Sequence, residues 1–194
     1  MSAELNTEPV LHNLDARSIA DHLVTFRPSE SVAADILQRA QLRIPSIAKT
    51  SDVLRVLRHN PDCMFAIAKK EDFNADKPAG LGFMAMLPLT SSGLEQLALG
   101  LLDATNPDLG AICKRGERPA GIYLWCIFAP GEGLPCMALF MEKMSVPPYA
   151  GVSMYLRPVT EQGERLAKEL GFSSGAVIGA INAPHLWTIS CKPS

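Results

Sequence analysis

The sequence has no strong charge bias, no paired-cysteine motif, no repeat and no long apolar run, and each absence removes a class of protein. Its 18 basic and 20 acidic residues leave a formal charge of −2. That balance carries no electrostatic footprint for nucleic acid or an anionic membrane surface. The basic residues are scattered, and the densest cluster, CKRGER at 113–118, reads as a solvated loop. No uninterrupted apolar segment approaches the ~20 residues that span a bilayer, so no membrane association is expected. The opening MSAELNTEPV lacks the basic start and apolar centre of a signal peptide, and the expected location is the cytoplasm. The cysteines, Cys63, Cys113, Cys126, Cys136 and Cys191, are odd in number and include no C-x-x-C spacing. Cys63, Cys126 and Cys136 lie among apolar neighbours, so reduced thiols buried as small hydrophobes are expected. His12, His22, His59 and His185 show no ligand spacing, and no metal is expected.

What is present suits one globular domain. The chain has 194 residues, 47% of them apolar and 20% charged, enough for one sizeable core and short for two. Residues 1–13 show no period and read as a loose arm. The pattern predicts a helix from Asp15 to about Arg27, with Ile19, Leu23 and Phe26 on one face. Pro28-Ser29-Glu30-Ser31 offers a fresh cap, and Val32, Ile36, Leu37 and Ala40 mark a second helix ending before Pro45. A third, with Val53, Val56 and Leu57 apolar, starts at Ser51 or Asp52 and stops near Asn60-Pro61. CMFAIAKK (63–70) and LGFMAMLPL (81–89) read as a hairpin joined by a charged turn. A helix follows, with Leu94, Leu97, Ala98 and Leu101 on its face, and then a loop over 105–120.

AGIYLWCIFAPG (120–131) is the clearest strand and carries no charge, as a central strand covered on both faces requires. LPCMALFMEKM (134–144) is helical, with Pro135 near its start and Met137, Met141 and Met144 as ordinary core material. VSMYLRPV (152–159) is another strand. Thr160 caps a helix that closes at Gly171, and two short strands, about 175–181 and 185–190, end the chain. The order is mixed α/β in one domain, 1–194, with a parallel strand pair expected within 120–170.

Three pieces of the C-terminal half carry a family likeness: IYLWCIFAPG with its Gly-x-Gly loop and following helix, the strand VSMYLRPVT, and the helix ending GERLAKELGF. Together they resemble the GNAT superfamily of acyl-CoA-dependent N-acetyltransferases over about 120–181. The resemblance implies an α/β fold with a central mixed sheet flanked by helices, and strands splayed at 121–129 and 152–158. It implies an acyltransferase using acetyl-CoA or another acyl-CoA, a small-molecule acceptor that is usually an amine, and no metal. Pantetheine would run along Trp125, Cys126, Ile127 and Phe128. The pyrophosphate would sit over Gly131, Glu132, Gly133 and Leu134, where N–H groups and the helix dipole attract an anion.

The sequence departs from that family at two places. The basic or amide residue that leads the family's loop falls on Phe128, and Glu132 puts a carboxylate in the anion site. The tyrosine that protonates the leaving thiolate falls on Ala167. Tyr155 and Glu132 are then the candidate proton-transfer groups, with Glu142 and His185 behind them. Each feature also has a plain structural reading: a strand-to-helix turn, pocket-wall aromatics, a half-buried strand tyrosine, a solvated first-turn glutamate. A non-catalytic ligand-binding or scaffold protein of the same fold is therefore the alternative, and a thiol hydrolase using Cys126 or Cys136 is a third. The 90–119 segment is longer than a simple connection needs and is expected to be a lid over the acceptor or a dimer interface.

Overall fold

The computed structural model describes residues 20–44 and 47–190. Among these residues seven strands form one sheet: β1 (Leu23–Phe26), β2 (Met64–Lys69), β3 (Gly82–Leu89), β4 (Gly121–Phe128), β5 (Met154–Leu156), β6 (Ser173–Ile178) and β7 (Ile181–Ile189). Their order across the sheet is β1-β2-β3-β4-β5-β7-β6. Every neighbouring pair is antiparallel except β4 and β5, which run parallel. Among the described residues five α-helices accompany the sheet: α1 (Glu30–Gln41), α2 (Thr50–His59), α3 (Ser91–Ala98), α4 (Gly133–Met144) and α5 (Glu161–Glu169). The architecture is therefore α+β around a mixed sheet.

Strand alternation divides the core into two layers. On one face Met64, Ala66, Phe83, Ala85, Leu87 and Tyr123 pack against Ile36, Leu37, Val56 and Leu97 of α1, α2 and α3. On the other, Phe65, Ile67, Met84, Met86, Ile122 and Leu124 meet Met137, Phe140 and Met144 of α4, Ala167 of α5 and its C-cap Leu170. Fully buried side chains such as Phe140 and Ile36 each contribute about 2–3 kcal/mol of apolar transfer.

The helix expected from Asp15 to Arg27 is corrected. Its first part, through Ile19, lies outside the described residues, and Leu23–Phe26 is the edge strand β1, paired antiparallel with Ala66–Lys69. Leu23 and Phe26 sit three apart, which puts them on one face of a helix and on opposite faces of a strand. Leu23 joins the α4 layer and Phe26 the α1 layer, the strand outcome. The β-branched and aromatic run LVTF and an available partner edge override the weak helical period. α1 is capped by Ser29, whose hydroxyl accepts from the Val32 N–H. α3 ends at Ala98, so Leu101 is 70% exposed and off the expected face. β5 is shorter than 152–159, since Pro158 cannot donate to a ladder. The C-terminal hairpin starts earlier than expected, at Ser173. The arm expected at 1–13 and Cys191 lie outside the described residues.

Candidate functional site

The parallel pair is a fork. Only Ile122↔Met154 and Tyr123↔Tyr155 are in register between β4 and β5, and β4 then continues through Phe128. Within this stretch β4 carries a bulge. Ala85 of β3 faces Cys126 while Met86 faces Leu124, so Trp125 is the extra residue. A bulge reverses alternation, and Trp125 and Cys126 accordingly both pack on the α1–α3 layer, between Leu124 and Ile127 on the other. From Trp125 onward β4 is half-buried, not covered on both faces as its apolar sequence led us to expect. The indole of Trp125 donates to the Ala104 carbonyl at 2.7 Å, tying the 99–104 segment to the fork.

β4 leaves the sheet through a tight turn. The Glu132 N–H bonds the Ala129 carbonyl at 3.0 Å. Pro130 occupies the second turn position and Gly131, at φ 77°, the third. That is the residue chemistry of a type II turn, where proline presets the first φ and only glycine accepts the positive one cheaply. A β-carbon on Gly131 would meet nothing within 4 Å. The glycine is thus demanded by its backbone angle and not by crowding. α4 begins at Gly133 with Glu132 as its cap residue, which makes no side-chain cap bond. Of the first-turn amides, Glu132 is already bonded and Pro135 has none. Gly133 and Leu134 are left as the N–H groups that helix geometry does not pair.

Glu132 does not stand over the turn as a lone carboxylate. It bonds His22 Nε2 at 2.7 Å, and its side chain is only 16% exposed. Beside the same turn lies an open groove of about 590 Å³, lined by Arg39, Leu42, Arg43, Leu81, Ile127, Phe128, Ala129 and Pro130. Arg39 is partly engaged, by Asp35 at 3.1 Å and by the Gly80 carbonyl. Arg43 joins none of the ion pairs among the described residues. These two cations come from α1 and its end, some ninety residues before the turn. No local motif near 128–134 pointed to them, and α1 read only as an amphipathic core helix.

Tyr155 and Glu132 are not brought together. Tyr155 pairs with Tyr123 near the start of β4, five strand residues or about 16 Å of chain rise from Phe128. Its ring packs beside Gly121 and Leu94. Burial pushes its phenol up, with Ser153 hydrogen-bonding it in the opposing sense. Trp125, Cys126, Ile127 and Phe128 follow the paired positions on β4, and the turn at 129–132 and the start of α4 come after them. Ala167, where a phenol was sought, is buried in the α5 layer. Desolvation pushes both Cys126 and Cys136 up to about 12, so neither thiol is primed as a nucleophile. Among the described residues no group of His, Cys, Asp and Glu side chains is arranged to hold a metal ion, and no helix is long and apolar enough to cross a membrane.

A second, smaller cavity of about 30 Å³ lies where β4 and β5 part. Tyr123, Arg157 and His185 line it, together with Leu97, Gly100, Leu102, Ala104 and Leu186. His185, a reserve proton-transfer candidate in the sequence, is carried to this cavity by β7.

No protein-family model matches the chain, and no curated protein matches it in sequence.

Proposed function

We propose that this chain is an acyltransferase of the GNAT type, using acetyl-CoA or another acyl-CoA and an amine acceptor. The observation that carries the reading is the fork: a two-residue parallel pairing, after which β4 runs on without β5 and paired only with β3, bulged at Trp125, into a turn that opens a helix. The side of β4 that β5 leaves unpaired offers backbone donors and acceptors to an amide-bearing chain such as pantetheine, as an unpaired sheet edge does. The groove of about 590 Å³ falls in the range of small-molecule sites.

The donor set fits the anionic coenzyme. Gly133 and Leu134 N–H groups face the helix N-terminus, and Arg43 supplies a cation that the loop's own sequence lacks. The bound coenzyme supplies an activated acyl thioester. The backbone of Trp125–Phe128 orients it, the aromatic walls exclude water, and Arg43 and the two amides hold phosphate oxygens. Proton transfer then falls to groups at the fork, with Tyr123 and His185 closer to it than Glu132.

The alternative, a binding or scaffold protein of the same fold, is favoured by Ala167, which leaves α5 without the phenol that the GNAT resemblance implies there. Two measurements separate the readings. Acetyl-CoA or free CoA at a hundredfold excess over Kd is expected to stabilise the fold by about 2.7 kcal/mol. No shift in the unfolding midpoint with acetyl-CoA, longer acyl-CoAs or CoA overturns both coenzyme readings. Where a shift occurs, release of the CoA thiol with a panel of amines identifies an enzyme, and its absence a binder.

A further inference from the structure

The small cavity at the fork has a definite chemical character. Its polar lining is one guanidinium, one phenol and one imidazole, drawn from β4, β7 and the residue after β5, and no carboxylate lines it. Arg157 enters none of the ion pairs among the described residues, although an exposed arginine beside a proline turn has every freedom to find one. Tyr123 is buried and next to it. Desolvation raises the phenol while the Arg157 charge opposes that rise, so at neutral pH Tyr123 is a neutral O–H donor facing a cation. His185 Nε2 lies 3.3 Å from the Leu97 carbonyl. A carbonyl only accepts, so Nε2 carries a proton and the ring is held in place. The cavity is small, about 30 Å³, which suits a group of a few heavy atoms and not a coenzyme.

A cation, a neutral donor and the absence of any acid select a small planar anion. We propose that this cavity is a carboxylate-binding subsite, with Arg157 as its cation and Tyr123 as its hydrogen-bond donor. Resting on the acyl-transfer reading above, the same subsite holds the acyl acceptor, which is then a small amino acid bound by its carboxylate. A guanidinium pairs a carboxylate through two parallel N–H bonds, which lysine cannot reproduce. Leu97, Leu102 and Leu186 supply the apolar part of the lining. The wall formed by residues 99–104 is pinned through the Trp125–Ala104 bond, while Leu99 and Leu101 on it are exposed.

The test uses the full chain and the ring signals of His185 in heteronuclear NMR, assigned by comparison with His185→Gln. Sodium acetate is titrated at constant ionic strength, with inorganic phosphate and ethylammonium chloride as the other probes. The expected result is a saturable shift with acetate, weaker binding of phosphate and no response to ethylammonium. Arg157→Ala is expected to weaken acetate at least tenfold and Arg157→Lys to recover only part of the loss. Arg157 is exposed, so these variants are expected to fold. A response to acetate that is absent, or unchanged in Arg157→Ala, overturns the subsite; phosphate binding more tightly than acetate overturns its assignment to carboxylates. This titration contains no coenzyme, so its failure is distinguishable from a failed acetyl-CoA stabilisation. The acceptor assignment is read separately, from CoA-thiol release with glycine or alanine against ethylamine. A preference of at least tenfold for the amino acids supports it, and equal rates overturn it.

Discussion

Cys126 lies on the strand that the acyl-transfer reading uses, and a thiol there invites a nucleophile reading. Desolvation at Cys126 and Cys136, with no cation beside either, favours the neutral thiol up to about 12. Iodoacetamide at pH 7.5 is therefore expected to leave Cys63, Cys113, Cys126 and Cys136 unmodified in the folded protein and to label all four in guanidinium, as peptide mass mapping reads directly. Rapid labelling of Cys126 or Cys136 in the native state would restore the thiol-hydrolase alternative. Arg43 is the opposite case, an exposed charge with no partner among the described residues. Arg43→Glu is expected to leave the unliganded unfolding midpoint nearly unchanged and to weaken acetyl-CoA binding at least tenfold, about 1.4 kcal/mol. Its place beside the turn was not legible in the sequence because the cation and the turn are remote in the chain and meet only once α1 packs on the sheet.

At the scale of elements, the path from β4 into α4 rests on two glycines with different reasons. Gly131 holds φ 77° in a type II turn with open space around it. Gly131→Ala is expected to cost about 1–2 kcal/mol, the left-handed penalty for a side chain. Gly82 has no such angle. A β-carbon there would overlap the Phe128 carbonyl oxygen and sit 3.0 Å from Ala129 Cα. Gly82→Ala is expected to cost about 1–3 kcal/mol through steric displacement and to move the turn as well. Urea unfolding of both variants separates the two: acetyl-CoA affinity falls further in Gly82→Ala for the same loss of stability. If Gly82→Ala is as stable as the parent, β3 does not clamp the end of β4. Most helices and the β2–β3 hairpin were legible because their apolar periods are strong and their breakers, such as Pro61 and Gly171, stand at the ends. β1 was not, because four residues at a sheet edge owe their conformation to the partner strand. The bulge at Trp125 was not legible either, since an uncharged strand reads the same with or without one extra residue, and with it went the expectation of full burial to Phe128.

The strand order and the one parallel pair belong to the whole molecule, and so does its response to alkali. All three tyrosines, Tyr123, Tyr149 and Tyr155, are buried, and burial pushes each phenol up. The four described cysteines, Cys63, Cys113, Cys126 and Cys136, are shifted the same way for the same reason. The exposed carboxylates Asp21, Glu30 and Asp103 go the other way, held down by Lys70, Arg58 and Thr105 respectively, but each lies fully in solvent and contributes little to stability. For a group whose folded pKa is raised, the unfolded chain loses its proton first. The folded state then binds more protons, and stability declines as pH rises. The contribution is complete below the unfolded values, about 8.5 for thiols and about 10 for phenols, and is lost progressively above them. Because tyrosines and cysteines from both core layers share this sign, the unfolding midpoint is expected to hold between pH 7 and 8, to fall from about pH 8.5, and to fall more steeply past about pH 10. Absorbance at 295 nm adds an independent reading: phenolate is expected to appear only together with loss of far-UV ellipticity. Tyrosines that titrate near 10 while the fold stays intact would contradict the burial of Tyr123 in particular. They would also remove the neutral donor that the fork cavity presents to its anion.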